Sequence, residues 1–339
     1  MPERKSSEEK SMITLDGTTY QPKAGESVLE CLSRHGVSVP SFCQSGVCQT
    51  CLMRAVEGDI PARAQQGLKE SFKKRGFFLT CVCAADRPLT IERSQAAERF
   101  SSRILDVQAL SSRVSRVYLE RPSGFQFEAG QFVQVIRRED GVRRPYSVAS
   151  LPSADHIELH VAVFPGGELS PWLSSSVGAQ VELEGPFGEC VYVPVEPERP
   201  LVLAGTGTGL APLIGVFRAA LESGHQGPIT LYHGARSASD LYFTDELRSL
   251  LSNSQHRIIE LMLEGNESEV DSEPLLERRV GDLVDVVLEE QKAPPAARYY
   301  LCGAPDLVHR LKKKLYLKGA SLDKIHADPF LSRAPQAGA

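Results

Sequence analysis

Cys43, Cys48 and Cys51 stand in the run Cys43-Gln44-Ser45-Gly46-Val47-Cys48-Gln49-Thr50-Cys51, and a further candidate follows thirty positions later at Cys81. C-x4-C-x2-C with a distant fourth thiol is a spacing of iron–sulfur ligation, and it constrains the fold more than any other feature of the chain. Each iron takes soft thiolate ligands, and a loop this short wraps a cluster only if its backbone is permissive. Gly46 supplies that freedom, since without a Cβ it takes positive φ and lets amides approach the sulfurs. A zinc site would present two C-x2-C-like pairs in place of this asymmetric set. Inert buried thiols would have no reason to keep the spacing. Cys81-Val82-Cys83 offers two candidates for the fourth ligand. Cys31, on a predicted helix, and Cys190 lack such spacing and read as ordinary buried residues.

With 339 residues the chain can build two or three domains with real cores. A composition of 42% hydrophobic and 24% charged residues with a net charge of −5 is that of a soluble globular protein, and it points to neither nucleic acid nor membrane. Clustered cysteines fit a reducing compartment better than a disulfide framework. Residues 1–10 are charged in both signs and lack the apolar core of a signal peptide, so a cytoplasmic location is expected. The uncharged run Leu201 to Phe217 holds four glycines and a proline in 17 residues, which suits a phosphate-binding turn rather than a membrane span.

In chain order, a strand from Met12, a turn at Asp16-Gly17 and a second strand lead to a helix from about Ser27 to Arg34. Ser27 is its N-cap, with Glu30 three residues on, and Gly36 closes it. Strands at Leu52 to Glu57 and Leu89 to Glu92 follow, and polar Gln95 to Ser102 reads as a linker. From about residue 101 to 197 the pattern is a small antiparallel barrel. His156 to Val163 alternates like a half-buried strand, with Ile157, Leu159, Val161 and Val163 on one face. From Pro200 strands and helices alternate, which predicts a doubly wound α/β domain with a parallel sheet. The turn Gly205-Thr206-Gly207-Thr208-Gly209 follows an apolar strand and opens a helix through Pro212. Its backbone amides there would face a phosphate.

Arg144-Pro145-Tyr146-Ser147 is by itself compatible with a structural turn, but several motifs together resemble known families. Residues 12–93 resemble a plant-type ferredoxin of β-grasp fold, in which the last ligand follows a Leu-Thr pair. Leu79-Thr80-Cys81 matches, which implies Cys81 as ligand and Cys83 as a structural thiol. Arg144 to Ser147 resembles the R-x-Y-S motif of the ferredoxin reductase flavoproteins. Gly167-Glu168-Leu169-Ser170 resembles their second flavin motif, Gly207 to Pro212 their nicotinamide turn and Cys302-Gly303-Ala304-Pro305 their C-G-x-P. As a whole the chain resembles the reductase component of bacterial multicomponent oxygenases.

The resemblance implies three domains: a 2Fe-2S ferredoxin over 12–95, an FAD-binding barrel over 100–197 and an NAD(P)-binding α/β domain over 198–331. It implies cluster ligation by Cys43, Cys48, Cys51 and Cys81. Arg144 would pair with a flavin phosphate, Tyr146 would pack on the flavin ring and Ser147 would reach its N5 edge, with Pro145 among the cofactor-binding residues of the same motif. Gly167 and Ser170 would hold the pyrophosphate at a helix start, and Gly205, Gly207, Thr208, Gly209 and Pro212 the nicotinamide nucleotide. Cys302 and Gly303 would lie beside the nicotinamide. Phe330 matches an aromatic placed over the flavin, though here nine residues follow it, which leaves a packing role beside the catalytic one. Leu261 to Glu264 offers a 2′-phosphate no cation, so NADH is expected; Arg236 and Arg257 are the residues that could overturn this.

The implied activity is electron transfer from NADH through FAD and a 2Fe-2S cluster to a terminal oxygenase or hydroxylase. Two alternatives stay open at this stage: a reductase serving a deoxysugar dehydratase or other acceptor, and a non-catalytic redox-sensing module.

Overall fold

The computed structural model describes residues 11–41, 43–46, 49–68, 72–73, 75–93, 99–251, 255–266, 269–272 and 275–330. The chain divides into two compact units at Ala97/Glu98.

The first unit is a five-stranded sheet in the order β2-β1-β5-β3-β4. Its strands are β1 (Ile13–Leu15), β2 (Thr18–Tyr20), β3 (Leu52–Glu57), β4 (Phe77–Leu79) and β5 (Leu89–Arg93). β1 pairs antiparallel with β2 and parallel with β5, and one helix, α1 (Val28–Arg34), lies in the connection from edge strand β2 to β3 on the far side of β5. Ser27 and Glu30 form the expected capping box: Glu30 N–H donates to Ser27 Oγ at 3.2 Å and Ser27 N–H to Glu30 Oε2 at 2.8 Å. Val28, Leu29 and Leu32 turn from that helix into a core shared with Ile13, Leu15, Phe78, Leu89 and Ile91.

The second unit begins with a barrel in the order β10-β7-β6-β11-β8-β9. Its strands are β6 (Arg99–Ala109), β7 (Val114–Glu120), β8 (Phe132–Arg137), β9 (Arg143–Ser147), β10 (His156–Ala162) and β11 (Gln180–Phe187). An antiparallel bridge from Val148 to Leu159 links the two end strands. Two readings of the sequence change here. Arg99 to Ser102 are strand, not linker: Ser102 faces inward and donates to Glu120 O at 2.7 Å, and a serine in an inward slot hides the alternation. β10 is buried on both faces, because Glu158 and His160 are covered as fully as Ile157, Leu159 and Val161.

A seven-stranded sheet completes the unit, ordered β15-β16-β14-β13-β12-β17-β18. The strands are β12 (Leu201–Thr206), β13 (Ile229–Ala235), β14 (Arg257–Met262), β15 (Asp271–Ser272), β16 (Leu276–Val280), β17 (Arg298–Gly303) and β18 (Ile325–Pro329). All neighbours run parallel except β15 with β16. Among the described residues four helices accompany this sheet, beside the barrel's single turn α2 (Ser170–Leu173): α3 (Leu210–Glu222), α4 (Thr244–Ser249), α5 (Leu283–Glu290) and α6 (Pro305–Leu317). The apolar residues of β12, β13 and β17 feed two cores, one under α3 and one under α5 and α6, as a doubly wound sheet requires. Among the described residues no helix is long and apolar enough to cross a membrane.

Candidate functional site

In the first unit the loop before β3 doubles back on itself. Gln44, Gly46 and Gln49 all take positive φ, at 52°, 79° and 57°. At Gly46 a Cβ would also stand 3.1 Å from Val82 Cγ2, so conformation and close approach both demand glycine. The folded loop brings Cys43 and Cys51 within hydrogen-bonding reach of Cys81. Bonding to Cys43 and then Cys51, with burial, pushes the Cys81 thiol up, against the Gly46 backbone, which favours the thiolate. Bonding from Cys81 outweighs burial at Cys51 and brings it down to about 7. Ser45 N–H points at Cys43 Sγ from 3.4 Å. Cys48 lies outside the described residues. Among those described, no three such groups are set to hold a single ion. Cys83 is fully buried in the core beside α1, and burial pushes it up to about 12. A neutral thiol packed among Leu32 and Phe78 is a core residue.

In the second unit β9 carries Arg144 to Ser147 and runs against β8, with Tyr146 opposite Val133 and Ser147 opposite Phe132. Tyr146 packs against the barrel core, and burial pushes its phenol up. Arg144 reaches Glu168 Oε2 at 2.7 Å, which ties the R-x-Y-S strand to the Gly167–Ser170 segment. Arg137 donates to Glu168 O at 2.9 Å and lies 5.5 Å over the Trp172 ring, fixing that segment from the other side. At Gly167 a Cβ would meet Phe164 O at 3.0 Å and Ser170 Oγ at 3.2 Å. The helix that Ser170 opens is only four residues long. Its dipole is therefore small, and the anion-holding capacity of the segment rests on amides and Arg144.

The carboxyl ends of β12 and β17 touch backbone to backbone. A Cβ on Gly205 or Gly209 would stand 2.8 or 2.6 Å from Cys302 O, and one on Gly303 would stand 2.7 Å from Thr206 O. Ala304 N–H donates to Thr206 Oγ1 at 3.2 Å. Gly207 is different: nothing stands near its Cβ position, and only its φ of +53° calls for glycine. Pro212 falls in the first turn of α3, where its missing N–H is no loss. Phe330 N–H donates to Gly303 O at 2.7 Å, which brings Phe330 to the same edge as Cys302. Thr208 stands in the turn between Gly207 and Gly209, half-buried. The flavin strand meets α3 at Gly215, where a Cβ would lie 3.0 Å from Val148 O.

Two neighbours of Cys302 were invisible in the sequence. Cys190 lies 112 residues away along the chain, yet its Sγ is 3.4 Å from Cys302 Sγ. Asp328 is paired with Cys302 across β17 and β18, and burial holds its carboxyl up at about 7. Burial and Cys190 together keep Cys302 a neutral thiol. The two arginines that could overturn the expectation of NADH are both engaged. Arg257 starts β14, at the opposite end of the sheet from the glycine turn, and bonds Glu277 at 2.7 Å. Arg236 follows β13 at the ligand-binding end, but Glu264 accepts from its Nε at 3.0 Å.

Three family profiles match in the order of these sites. Residues 13–86 match the 2Fe-2S iron-sulfur cluster binding domain, 103–192 the oxidoreductase FAD-binding domain and 203–313 the oxidoreductase NAD-binding domain. The reductase subunit of an aromatic O-demethylase from Amycolatopsis sp. is 30% identical over 335 residues, 94% of this chain and 98% of that protein. The chain belongs to the iron–sulfur flavoprotein reductases. The reductase component of the naphthalene 1,2-dioxygenase system from Pseudomonas putida is 29% identical to this reductase over 91% of its length and 94% of that protein's. A crystal structure of an Amycolatopsis cytochrome P450 reductase superposes with a TM-score of 0.69 at 27% identity, covering 94% of this reductase and 98% of that chain. This reductase is accordingly an oxidoreductase that uses a 2Fe-2S cluster, FAD and a nicotinamide nucleotide.

Proposed function

We propose that this reductase takes hydride from NADH and delivers single electrons, through its cluster, to a terminal oxygenase or hydroxylase in the cytoplasm. FAD, when bound, supplies the conversion of one two-electron donation into two one-electron transfers, which a cluster requires. The chain's own residues bind, orient and keep water out. Gly205, Gly207, Thr208 and Gly209 would present amides to the nucleotide at the helix that Pro212 enters, and Cys302 and Gly303 would form the floor on which the nicotinamide rests. Cys302, its thiol buried against Cys190, stays protonated and neutral, so it would bring no charge to the nucleotide site. Arg144, Tyr146, Gly167 and Ser170 would hold FAD, with Ser147 at the end of the same strand. Cys43, Cys48, Cys51 and Cys81 would hold the cluster. No general acid or base is required, because hydride and electron transfer need position more than proton chemistry.

The observation that carries this reading is the contact of Gly205 and Gly209 with Cys302 O, together with the Phe330 bond to Gly303. It gathers the turn, the C-G-x-P segment and the C-terminal aromatic at one edge. The partner is inferred from relatives named for naphthalene dioxygenase and aromatic O-demethylase systems. Preference for NADH rests on Leu261 to Glu264, which would offer a 2′-phosphate an anion and no cation, with Glu264 also accepting from Arg236. The test is an anaerobic titration with NADH and then NADPH, following flavin and cluster absorbance with an electron paramagnetic resonance (EPR) endpoint. NADH should bleach the flavin and raise one rhombic two-iron signal, and NADPH should do so far more slowly. A flavin that NADH leaves oxidised would overturn the proposal.

A further inference from the structure

Glu158 and His160 sit on the face of β10 turned away from the barrel core, and both are buried. His160 bonds Glu158 Oε1 through Nε2 at 3.0 Å and Tyr242 Oη through Nδ1 at 3.1 Å. Arg218, on α3, donates to Glu158 Oε2 at 2.8 Å and to Ala149 O at 3.0 Å. Burial pushes Glu158 up, but the His160 bond and the Arg218 charge bring it down to about 2, while burial lowers His160. The proton inventory then assigns every bond. An ionised carboxylate only accepts, so neutral His160 donates from Nε2, its Nδ1 accepts, and the Tyr242 hydroxyl donates.

The chain Tyr242–His160–Glu158–Arg218 thus starts in the loop after β13, passes through a flavin-barrel strand and ends on the helix that the glycine turn opens. Loops at the carboxyl ends of β12 and β13 are where this class of sheet holds its nucleotide. Tyr242 reaches the turn through one intermediate: His233 stands edge-on to its ring at 5.3 Å, and the Gly207 backbone lies beside His233. The next residue, Phe243, has φ +71°, a conformation that a bulky side chain adopts only where its surroundings dictate it. Those surroundings are Arg116 at 4.9 Å and Arg218 at 5.8 Å from its ring, and the His160 ring at 4.9 Å. Arg116 comes from β7 of the barrel and also bonds Glu246 of α4. Two barrel strands therefore grip the loop that follows β13.

We propose that Tyr242 is a positioning residue for hydride transfer: through His160 and Glu158 it sets the spacing between the nicotinamide turn and the flavin barrel. The proposal rests on the hydride-transfer reading above. Misplacement by about 1 Å at a distance from the reacting atoms can slow a reaction about a hundredfold, so loss of one hydroxyl in this chain should be visible in the rate.

The experiment is single-turnover anaerobic reduction of the holoenzyme flavin by NADH, with Tyr242→Phe, His160→Gln and the double variant. Tyr242→Phe should slow flavin reduction about tenfold or more, with the NADH dissociation constant, flavin content, thermal midpoint and reduction by dithionite held. With 4-deuterated NADH its isotope effect should be fully expressed. Since both substitutions break one chain, the double variant should be no slower than the slower single variant. A Tyr242→Phe rate within about twofold of the unmodified enzyme, or fully additive losses, would overturn the proposal. If Tyr242→Phe loses its flavin, His160→Gln decides by the same criteria. Flavin in the unmodified enzyme that NADH fails to reduce would overturn the proposed function itself, and this inference with it.

Discussion

At the scale of single residues, the two thiols of Cys81-Val82-Cys83 part company: one meets Cys43 and Cys51, the other is buried beside α1. Cys81→Ser should abolish the rhombic two-iron EPR signal. Cys83→Ala should keep that signal and lower stability by about 1–2 kcal/mol in denaturant unfolding. Asp328 gives a pH test. Its folded value of about 7 lies above its ordinary 3.8, so the folded state holds the proton more tightly and stability falls as pH rises between those values. The stability of Asp328→Asn relative to the unmodified chain should grow from pH 4 to pH 7 and be level on either side, read from thermal midpoints across pH. A 2Fe-2S domain was legible in the sequence because ligation demands a local spacing of cysteines. Cys190 was not, because its meeting with Cys302 is made by the fold across 112 residues.

At the scale of elements, the glycine turn was legible as a motif but not in its division of labour. Gly209→Ala drives a methyl group to 2.6 Å from Cys302 O, whereas Gly207→Ala meets nothing and strains only φ. The first should cost about 1–3 kcal/mol and raise the KM for NADH at least about tenfold. The second should cost about 1 kcal/mol and change KM less. Unfolding curves and initial rates on both variants decide it. α1 was read almost to the residue, since a capping box and a closing glycine are local signals. β6 and β10 were misread in part for one reason. Burial of Ser102, Glu158 and His160 is made by partners far off in the chain, Glu120, Arg218 and Tyr242, and polarity alone suggests exposure.

At the scale of the molecule, the order of domains was legible because each carries its own pattern: cysteine spacing, period-two strands, then strand and helix in alternation. A division of labour follows. Cys81→Ser, lacking the cluster, should keep NADH-driven reduction of ferricyanide, which can draw on the flavin. It should lose most of its reduction of cytochrome c if that route runs through the cluster. Equal loss of both activities would place the defect in the flavin unit instead.

The two-sided burial of β10 bears on how such a protein can be rearranged by recombination or by design. A flavin barrel cut free at Pro200 would expose Glu158 and His160 without Arg218 and Tyr242, and with them a wall of apolar strand on either side. The first unit closes its own core around Ile13, Leu32 and Phe78. Exchange of parts at the Ala97/Glu98 seam leaves both interiors whole, whereas exchange at Pro200 breaks one open. Electron outlets can therefore be traded among such enzymes more freely than the flavin and nucleotide lobes can be traded with each other.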